Sequence, residues 1–263
     1  MEPIQLSPGF SEMTWSFSRL KAFDQCKYAW FLKYLLEVQK GEPQFFASFG
    51  SFAHSLLADY LSGKLRRRDL AAAYLTGFSS SVQGSPPSSR VFESYFDDGL
   101  RYFQNPAPFP FEILAVEQKI RFEIDGLPFV GFVDVVGREE DGLVVLDHKS
   151  RALKPPSGRK KPTLDDKILS EYFVQLYLYS VGVKNEFKMP VKYLEMNIFR
   201  KNLFIKSQFD ADAFEQAKKW AVETVKAIDR EQNFEPNVDF FQCKYLCDVK
   251  DHCDYYKINF ERG

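Results

Sequence analysis

No run of about 18 apolar residues occurs anywhere along the 263 positions, so no segment is suited to cross a membrane as a helix. The first residues also lack the basic stretch, apolar stretch and small-residue cleavage site of a secretory leader, and the expectation is a soluble, cytoplasmic protein. Charge of one sign is not in excess: 35 Lys and Arg against 36 Asp and Glu leave a formal −1. That balance argues against a uniformly basic coat but leaves room for a local positive groove. A Walker A pattern is absent, so any ATP-driven unwinding would come from another polypeptide. Internal repeats are absent too. Cysteine is sparse, with Cys26 alone near the start and Cys243, Cys247 and Cys253 near the end. In a reducing compartment these read as thiols or metal ligands before disulfides. The length allows one domain with a substantial core, residues 1–263, with a helical part over 1–110, a core over 111–210 and a helix with a Cys-bearing tail over 211–263.

Hydrophobic spacing predicts the elements. Residues 16–36 carry apolar positions at helical intervals, as one helix or a broken pair, with Ser16 or Ser18 as N-cap. Phe49, Phe52, Ala53, Leu56, Leu57, Tyr60 and Leu61 follow a three-four pattern, the strongest helical signal in the chain. Helices are also expected over 70–78 and 92–103, separated by a Ser/Pro/Gly-rich loop at 79–89. From Ile113 the texture becomes β: a strand to Ile124, an Asp125-Gly126 turn, a strand over 129–136, a turn at 139–142, and a strand over 143–149. Thr163 with Asp166 forms a capping-box pattern for a helix reaching about Val183. Strands over 191–199 and 203–209, a long helix through Phe214 to Ile228 and an aromatic tail complete the order.

Register then brings acids together. A two-residue loop at Asp125-Gly126 pairs Ile124 with Leu127 and sets Glu117 opposite Asp134. A turn centred on Glu140-Asp141 sets Asp134 opposite Asp147. Directly opposed residues have Cβ atoms roughly 5 Å apart, so these carboxylates repel unless a cation lies between them. Hard oxygen donors suit Mg²⁺ or Mn²⁺. Strand alternation puts Lys149 on the face of Asp147 and turns His148 away, leaving the His148 backbone carbonyl rather than its ring as a donor. An acid pair, a lysine and a divalent cation are the parts needed for phosphodiester hydrolysis by an activated water. The plain alternative is a solvated sheet face, but Asp134 and Asp147 sit inside the apolar runs Phe132 to Val136 and Val144 to Leu146.

His54 lies at the edge of the apolar helix stripe, beside Gly50 one turn earlier, and a histidine there is commonly a structural hydrogen-bonder unless the acids join it. Gln175 and Tyr179 are one helical turn apart and present an amide and a phenol on one face, suited to a DNA phosphate or to the surroundings of Lys149. An amphipathic rim explains that pair equally well in isolation.

Taken together, these residues resemble the RecB-type branch of the PD-(D/E)XK nucleases. The resemblance rests on Ser18-Arg19-Leu20 with Phe23 and Cys26, Gly50 to His54 as GxxxH, Gly131 to Asp134, Asp147 to Lys149 as acid-x-Lys, and Gln175 to Tyr179 as QxxxY. It implies an α/β (α+β), restriction-endonuclease-like αβββαβ core with a mixed central sheet flanked by helices. It further implies that His54, Asp134 and Asp147 hold metal, to which the register reading adds Glu117 as an additional acid and the His148 carbonyl as a donor. Lys149 would be catalytic, and Gln175 and Tyr179 would complete the catalytic set by supporting the site or the DNA. A subset similar to the CRISPR-associated adaptation exonucleases holds a [4Fe-4S] cluster with one Cys before the core and three after it, the layout of Cys26, Cys243, Cys247 and Cys253. Here three residues separate Cys243 from Cys247 where that subset usually has two, and no proline follows Cys26. Zinc on four thiolates and buried unliganded thiols remain alternatives, and His252 could compete as a ligand.

The expectation is a Mg²⁺- or Mn²⁺-dependent deoxyribonuclease, an exonuclease processing DNA ends. An endonuclease or a non-catalytic DNA-binding, complex-forming module on the same scaffold are the alternatives. Its partners would be DNA and a helicase, recombinase or CRISPR adaptation protein. Basic residues at Arg151, Lys154, Arg159, Lys160 and Lys161, and again from Lys64 to Arg68, are candidate phosphate contacts or ordinary solvated charge runs.

Overall fold

The computed structural model describes residues 6–140 and 142–261. Ten α-helical segments are present among them: α1 Pro8–Ser11, α2 Phe17–Gln25, α3 Lys27–Tyr34, α4 Phe45–Leu61, α5 Leu70–Ser81, α6 Ser89–Gln104, α7 Leu164–Phe187, α8 Ala211–Arg230, α9 Phe240–Tyr245 and α10 Asp254–Tyr256. The strands are β1 Glu112–Ile124, β2 Leu127–Glu139, β3 Gly142–His148, β4 Val191–Ile198 and β5 Leu203–Gln208. They form one mixed sheet in the order β1-β2-β3-β4-β5, in which only β3 and β4 run parallel. Antiparallel neighbours need only short turns. The parallel pair requires a crossover, and α7 supplies it.

The αβββαβ order is therefore α4, β1, β2, β3, α7, β4, with α5 and α6 between α4 and β1. The residues at 16–36 form a broken pair of helices because Cys26, at φ −161°, is extended; it ends α2 and caps α3, its Sγ accepting from the Ala29 N–H at 3.4 Å. Ser16 is the N-cap of α2. The α4 helix begins at Phe45, one turn before its apolar stripe becomes regular, and β2 runs three residues past Val136. Thr163 and Asp166 make the expected reciprocal cap, but α7 continues to Phe187 and stops where Lys188 turns left-handed at φ 56°.

Both hairpin registers are as expected: Ile124 pairs with Leu127, and Glu139 with Gly142. Asp141, placed at the centre of the second turn, lies outside the described residues. One irregularity affects the site. Glu117 has φ 51°, and opposite it Val133 and Val136, three apart, both join the same core, so strict alternation is lost at Asp134-Val135. Such a distortion re-aims side chains locally.

Two hydrophobic cores support the sheet. The larger joins the sheet to α2, α3, α7 and α8; Gly182 matters there because a Cβ would sit 2.9 Å from Ile120, so α7 can lie this close to β1 only without a side chain. The smaller joins α4, α5 and α6 through Phe49, Phe52, Tyr74, Phe78 and Phe103 to Phe199, just after β4. Burying each such ring contributes roughly 1.5–3 kcal/mol. The two cores hold α4 and α7 at the β2/β3 end where the acids lie. No described helix is long and apolar enough to cross a membrane.

Candidate metal centre and active site

β2 and β3 stop exchanging backbone hydrogen bonds at the Val135–Leu146 pair, just before the two aspartates. Beyond it the His148 N–H donates to Asp134 Oδ2 at 2.6 Å. A side chain thus replaces the ladder and anchors the acid. Asp134 Oδ2 also lies 3.4 Å from His54 Nδ1 on α4. One ligand atom each from His54, Glu117 and Asp134 lie within 4.8 Å of one another. Octahedral Mg²⁺ places oxygen donors at about 2.1 Å, so two nitrogen or oxygen donors sharing it are up to about 4.2 Å apart. The trio fits a hard divalent cation with small adjustment.

Asp147 is arranged differently from the expected row of three acids. It stands outside that trio and forms an ion pair with Lys149, Oδ2 to Nζ 2.7 Å, while Oδ1 accepts from Gln175 Nε2 at 2.8 Å. Lys149 Nζ donates in turn to Gln175 Oε1 at 2.8 Å and lies 4.3 Å from the centre of the Tyr172 ring. Tyr172, Gln175 and Tyr179 share one face of α7. Tyr179 is buried, and its ring occupies the space above Gly131, where a Cβ would come within 2.5 Å of Cε1. Gly50 is less constrained, since an added Cβ would meet only Ser150 Oγ, at 3.6 Å.

The His148 ring packs edge-on against the His54 ring, 5.7 Å between centres, and turns Nδ1 to Asn197. Nδ1 is 3.1 Å from Asn197 Nδ2, an atom that also donates to the Tyr102 hydroxyl at 2.8 Å. With the amide donating, Nδ1 is the acceptor and the ring proton lies on Nε2. Burial lowers the His148 pKa to about 3, against the pull of Asp134, so the ring is neutral.

The remaining protonation states follow from burial and pairing. Burial favours the neutral form of Asp134, but His54 and the His148 N–H outweigh it and bring the carboxyl to about 2. Burial opposes a charged His54, yet Asp134 raises its pKa overall. Asp147 is raised, chiefly by burial and despite Lys149. Lys149 is also raised, because Asp147 outweighs the burial that would lower it. Without a cation, these pairings favour the protonated forms of His54 and Lys149 and the ionised form of Asp134. A cation at the trio would displace the His54 proton, which couples its binding to pH.

The chain brings the cysteines together at the other end. Cys26, Cys243, Cys247 and Cys253 all line one cavity of about 830 Å³, and all four are free. Asn237 ties the tail to the joint between α2 and α3, its N–H 3.4 Å from Cys26 Sγ and its Nδ2 donating to Gln25 O at 3.0 Å. Lys33 pairs with Asp248 at 2.7 Å. Burial raises the Cys247 thiol to about 11, so it is protonated unless a metal takes the proton's place. Zinc would need sulfurs about 3.8 Å apart, from its 2.3 Å bonds. Among the described residues no three cysteine sulfurs lie within 4.8 Å of one another. His252 is not on that cavity.

The sequence left Tyr172, Asn197 and Arg200 unassigned. Tyr172 had a signal, lying three residues before Gln175 on the same helix face. Asn197 and Arg200 had none. Arg200 stacks on Tyr95, 3.6 Å to the ring centre, pairs with Asp98 at 2.9 Å and approaches Ser150 O at 3.5 Å, tying α6 to the segment just after Lys149.

A model of the PD-(D/E)XK nuclease superfamily matches residues 14–254. Among solved structures, the chain is similar to a candidate exonuclease from Eubacterium rectale, with TM-score 0.55 and 12% identity over 95% of this chain and 93% of that one. At that identity the likeness concerns the fold. No curated protein matches by sequence.

Proposed function

This chain belongs to the PD-(D/E)XK nuclease superfamily, a family of divalent-metal nucleases, and from that premise we propose that it is an exonuclease hydrolysing DNA from its ends with Mg²⁺ or Mn²⁺. The observation that carries the reading is the Gln175 bridge between Asp147 and Lys149, set beside the His54, Glu117 and Asp134 trio. Those three, with Asp147 and the His148 carbonyl, would hold the cation. When bound it supplies charge neutralisation at phosphate and a water of lowered pKa. Lys149, protonated and held by Asp147 and Gln175, orients the attacking water or offsets charge at the phosphate. Tyr172 covers its far side. The His148 N–H keeps Asp134 ionised and aimed, and Tyr179 fixes the distance of α7 from β2.

We further assign a [4Fe-4S] cluster to the four cysteines on the cavity between the tail and the α2/α3 joint. Thiolates are the usual ligands of such clusters. The cluster would clasp the two ends of the chain, away from the chemistry. Iron, sulfide and zinc analysis of anaerobically purified protein tests this directly; zinc with no iron overturns it.

Cleavage of end-labelled linear DNA and of circular DNA without ends, with Mg²⁺ or Mn²⁺ and with chelator, tests the function. Metal-dependent release of nucleotides from linear DNA alone, lost in Lys149→Ala, is expected. Cleavage of circles makes the enzyme an endonuclease, and activity retained in Lys149→Ala removes the assigned site.

A further inference from the structure

Two charge runs of similar strength occur, one after α4 and one after Lys149, and they differ in what they do with their charge. From Lys64 to Arg68 the cations are already engaged: Lys64 with Asp59 at 3.6 Å, Arg66 with Asp69 at 2.7 Å, Arg68 with Asp69 at 3.8 Å. Arg67 donates to Asn105 Oδ1 at 3.0 Å and to Pro106 O at 2.8 Å. The segment from Arg151 to Pro162 contains no acid at all. Its Arg151, Lys154, Arg159, Lys160 and Lys161 are exposed, and none of them forms an ion pair among the described residues.

Unpaired charge alone describes any solvated loop. This one is fastened. Leu153 is buried in the larger core, and the Lys154 N–H reaches Asp165 Oδ2 at 3.4 Å. Asp166 accepts from the Ser157 N–H at 2.7 Å and the Ser157 hydroxyl at 2.6 Å, while also accepting from the Thr163 N–H and hydroxyl at 2.7 Å each. The first turn of α7 thus grips the loop at its middle and its end. Gly158, at φ 65° with open space around it, makes the bend that sends Arg159, Lys160 and Lys161 back to the helix. The loop also begins at the active site: Arg151 follows Lys149 by two residues, and Lys149 Nζ lies 4.3 Å from the centre of the Tyr172 ring.

We propose that residues 151–161 form the track that binds the DNA phosphate backbone and leads it to Lys149, and that the Lys64 to Arg68 run takes no part. The proposal rests on the nuclease reading above. Anchoring lowers the entropy of ordering the loop on DNA. Each phosphate neutralised on duplex DNA contributes roughly 0.9 to the slope of log affinity against log salt.

The test compares Arg159→Gln/Lys160→Gln/Lys161→Gln with Lys64→Gln/Arg66→Gln/Arg68→Gln, each in a full-length Lys149→Ala background that prevents cleavage. Anisotropy of labelled duplex DNA is followed over a salt series. The loop substitutions are expected to reduce the slope by about 2–3, and the control to leave it within about 0.5. An unchanged slope in the loop variant, or an equal fall in the control, overturns the track. Hydrolysis of thymidine 5′-(p-nitrophenyl) phosphate by protein with Lys149 intact is read separately. The Lys64→Gln/Arg66→Gln/Arg68→Gln substitutions are expected to leave it unchanged, because that run takes no part. A wild-type protein that binds DNA with the expected slope yet never hydrolyses the ester or DNA removes the nuclease reading and leaves the track standing.

Discussion

Gln175 accepts a hydrogen bond from Lys149 Nζ at 2.8 Å and spends its own N–H on Asp147 at the same distance, so one carboxamide sets the lysine relative to the acid. The three groups come from two elements, β3 with its following residue and α7, and Lys149 and Gln175 are 26 positions apart in the sequence. A glutamine suits the position because it offers a donor and an acceptor at once. A carboxylate there would repel Asp147, and an apolar residue would leave both neighbours short of a partner.

Gln175→Leu is therefore expected to lower DNA hydrolysis by roughly 10–100-fold, the range for losing a residue that orients a metal-site group. Folding should survive, because Lys149 keeps its ion pair with Asp147. Circular dichroism and turnover measured on the same preparation check this. Wild-type turnover in the variant would show that the bridge has no bearing on the chemistry.

Asp134→Asn keeps an oxygen to accept from the His148 N–H but removes the charge that a cation needs. Mn²⁺ at about 100 times its Kd stabilises a folded protein by ~2.7 kcal/mol, a shift of about 5–10 °C in a chain of this size. The wild type should show that shift in a thermal melt and Asp134→Asn should lose most of it. Equal shifts in both proteins would place the cation elsewhere.

Glu195 on β4 gives a pH test remote from the site. It is buried, Oε2 has no hydrogen-bond partner, and burial raises its carboxyl to about 7 despite Lys206. The folded state then holds a proton that the unfolded state has released between about pH 4.5 and 7, so stability falls as pH rises through that window. Gln mimics the protonated form. Glu195→Gln is expected to stabilise by about 2–3 kcal/mol at pH 8 and by under about 0.5 at pH 4. Urea melts at the two pH values decide it, and a gain that does not grow with pH would contradict the assignment.

Much of this fold was legible because its signals are local. Thr163 and Asp166 announce a helix start, Asp125-Gly126 announces a hairpin, and two fixed turns carry the register to Glu117, Asp134 and Asp147. Register alone could not foresee that Glu117 would adopt a left-handed backbone and that alternation would break at Asp134. That distortion sorts one expected row of acids into two groups, a trio with His54 and a pair with Lys149. Asn197 and Arg200 were illegible for another reason: their partners are Tyr102 and Asp98 on α6, 95 and 102 residues away, and no spacing rule reaches so far. The break at Cys26 lay between, since apolar spacing ran through it and only the extended backbone divided the helix.

Gly131 and Tyr179 give the sharpest test of how α7 is set against the sheet. A methyl at position 131 would come within 2.5 Å of Tyr179 Cε1, and the ring has no free side to move toward because it is buried. Gly131→Ala is expected to cost about 1–3 kcal/mol by overpacking. Tyr179→Ala leaves a cavity and costs about 3–5 kcal/mol by the usual range for a buried ring. If the two positions act through contact, the double variant will be less destabilised than the sum, by about 1–3 kcal/mol, since the methyl then occupies space the ring has left. Tyr179→Phe keeps the ring and so should not rescue Gly131→Ala. Additive losses would mean that the glycine serves strand geometry alone. A positive coupling would show instead that β2 carries a glycine three residues before Asp134 so that α7 can bring Gln175 down onto Lys149.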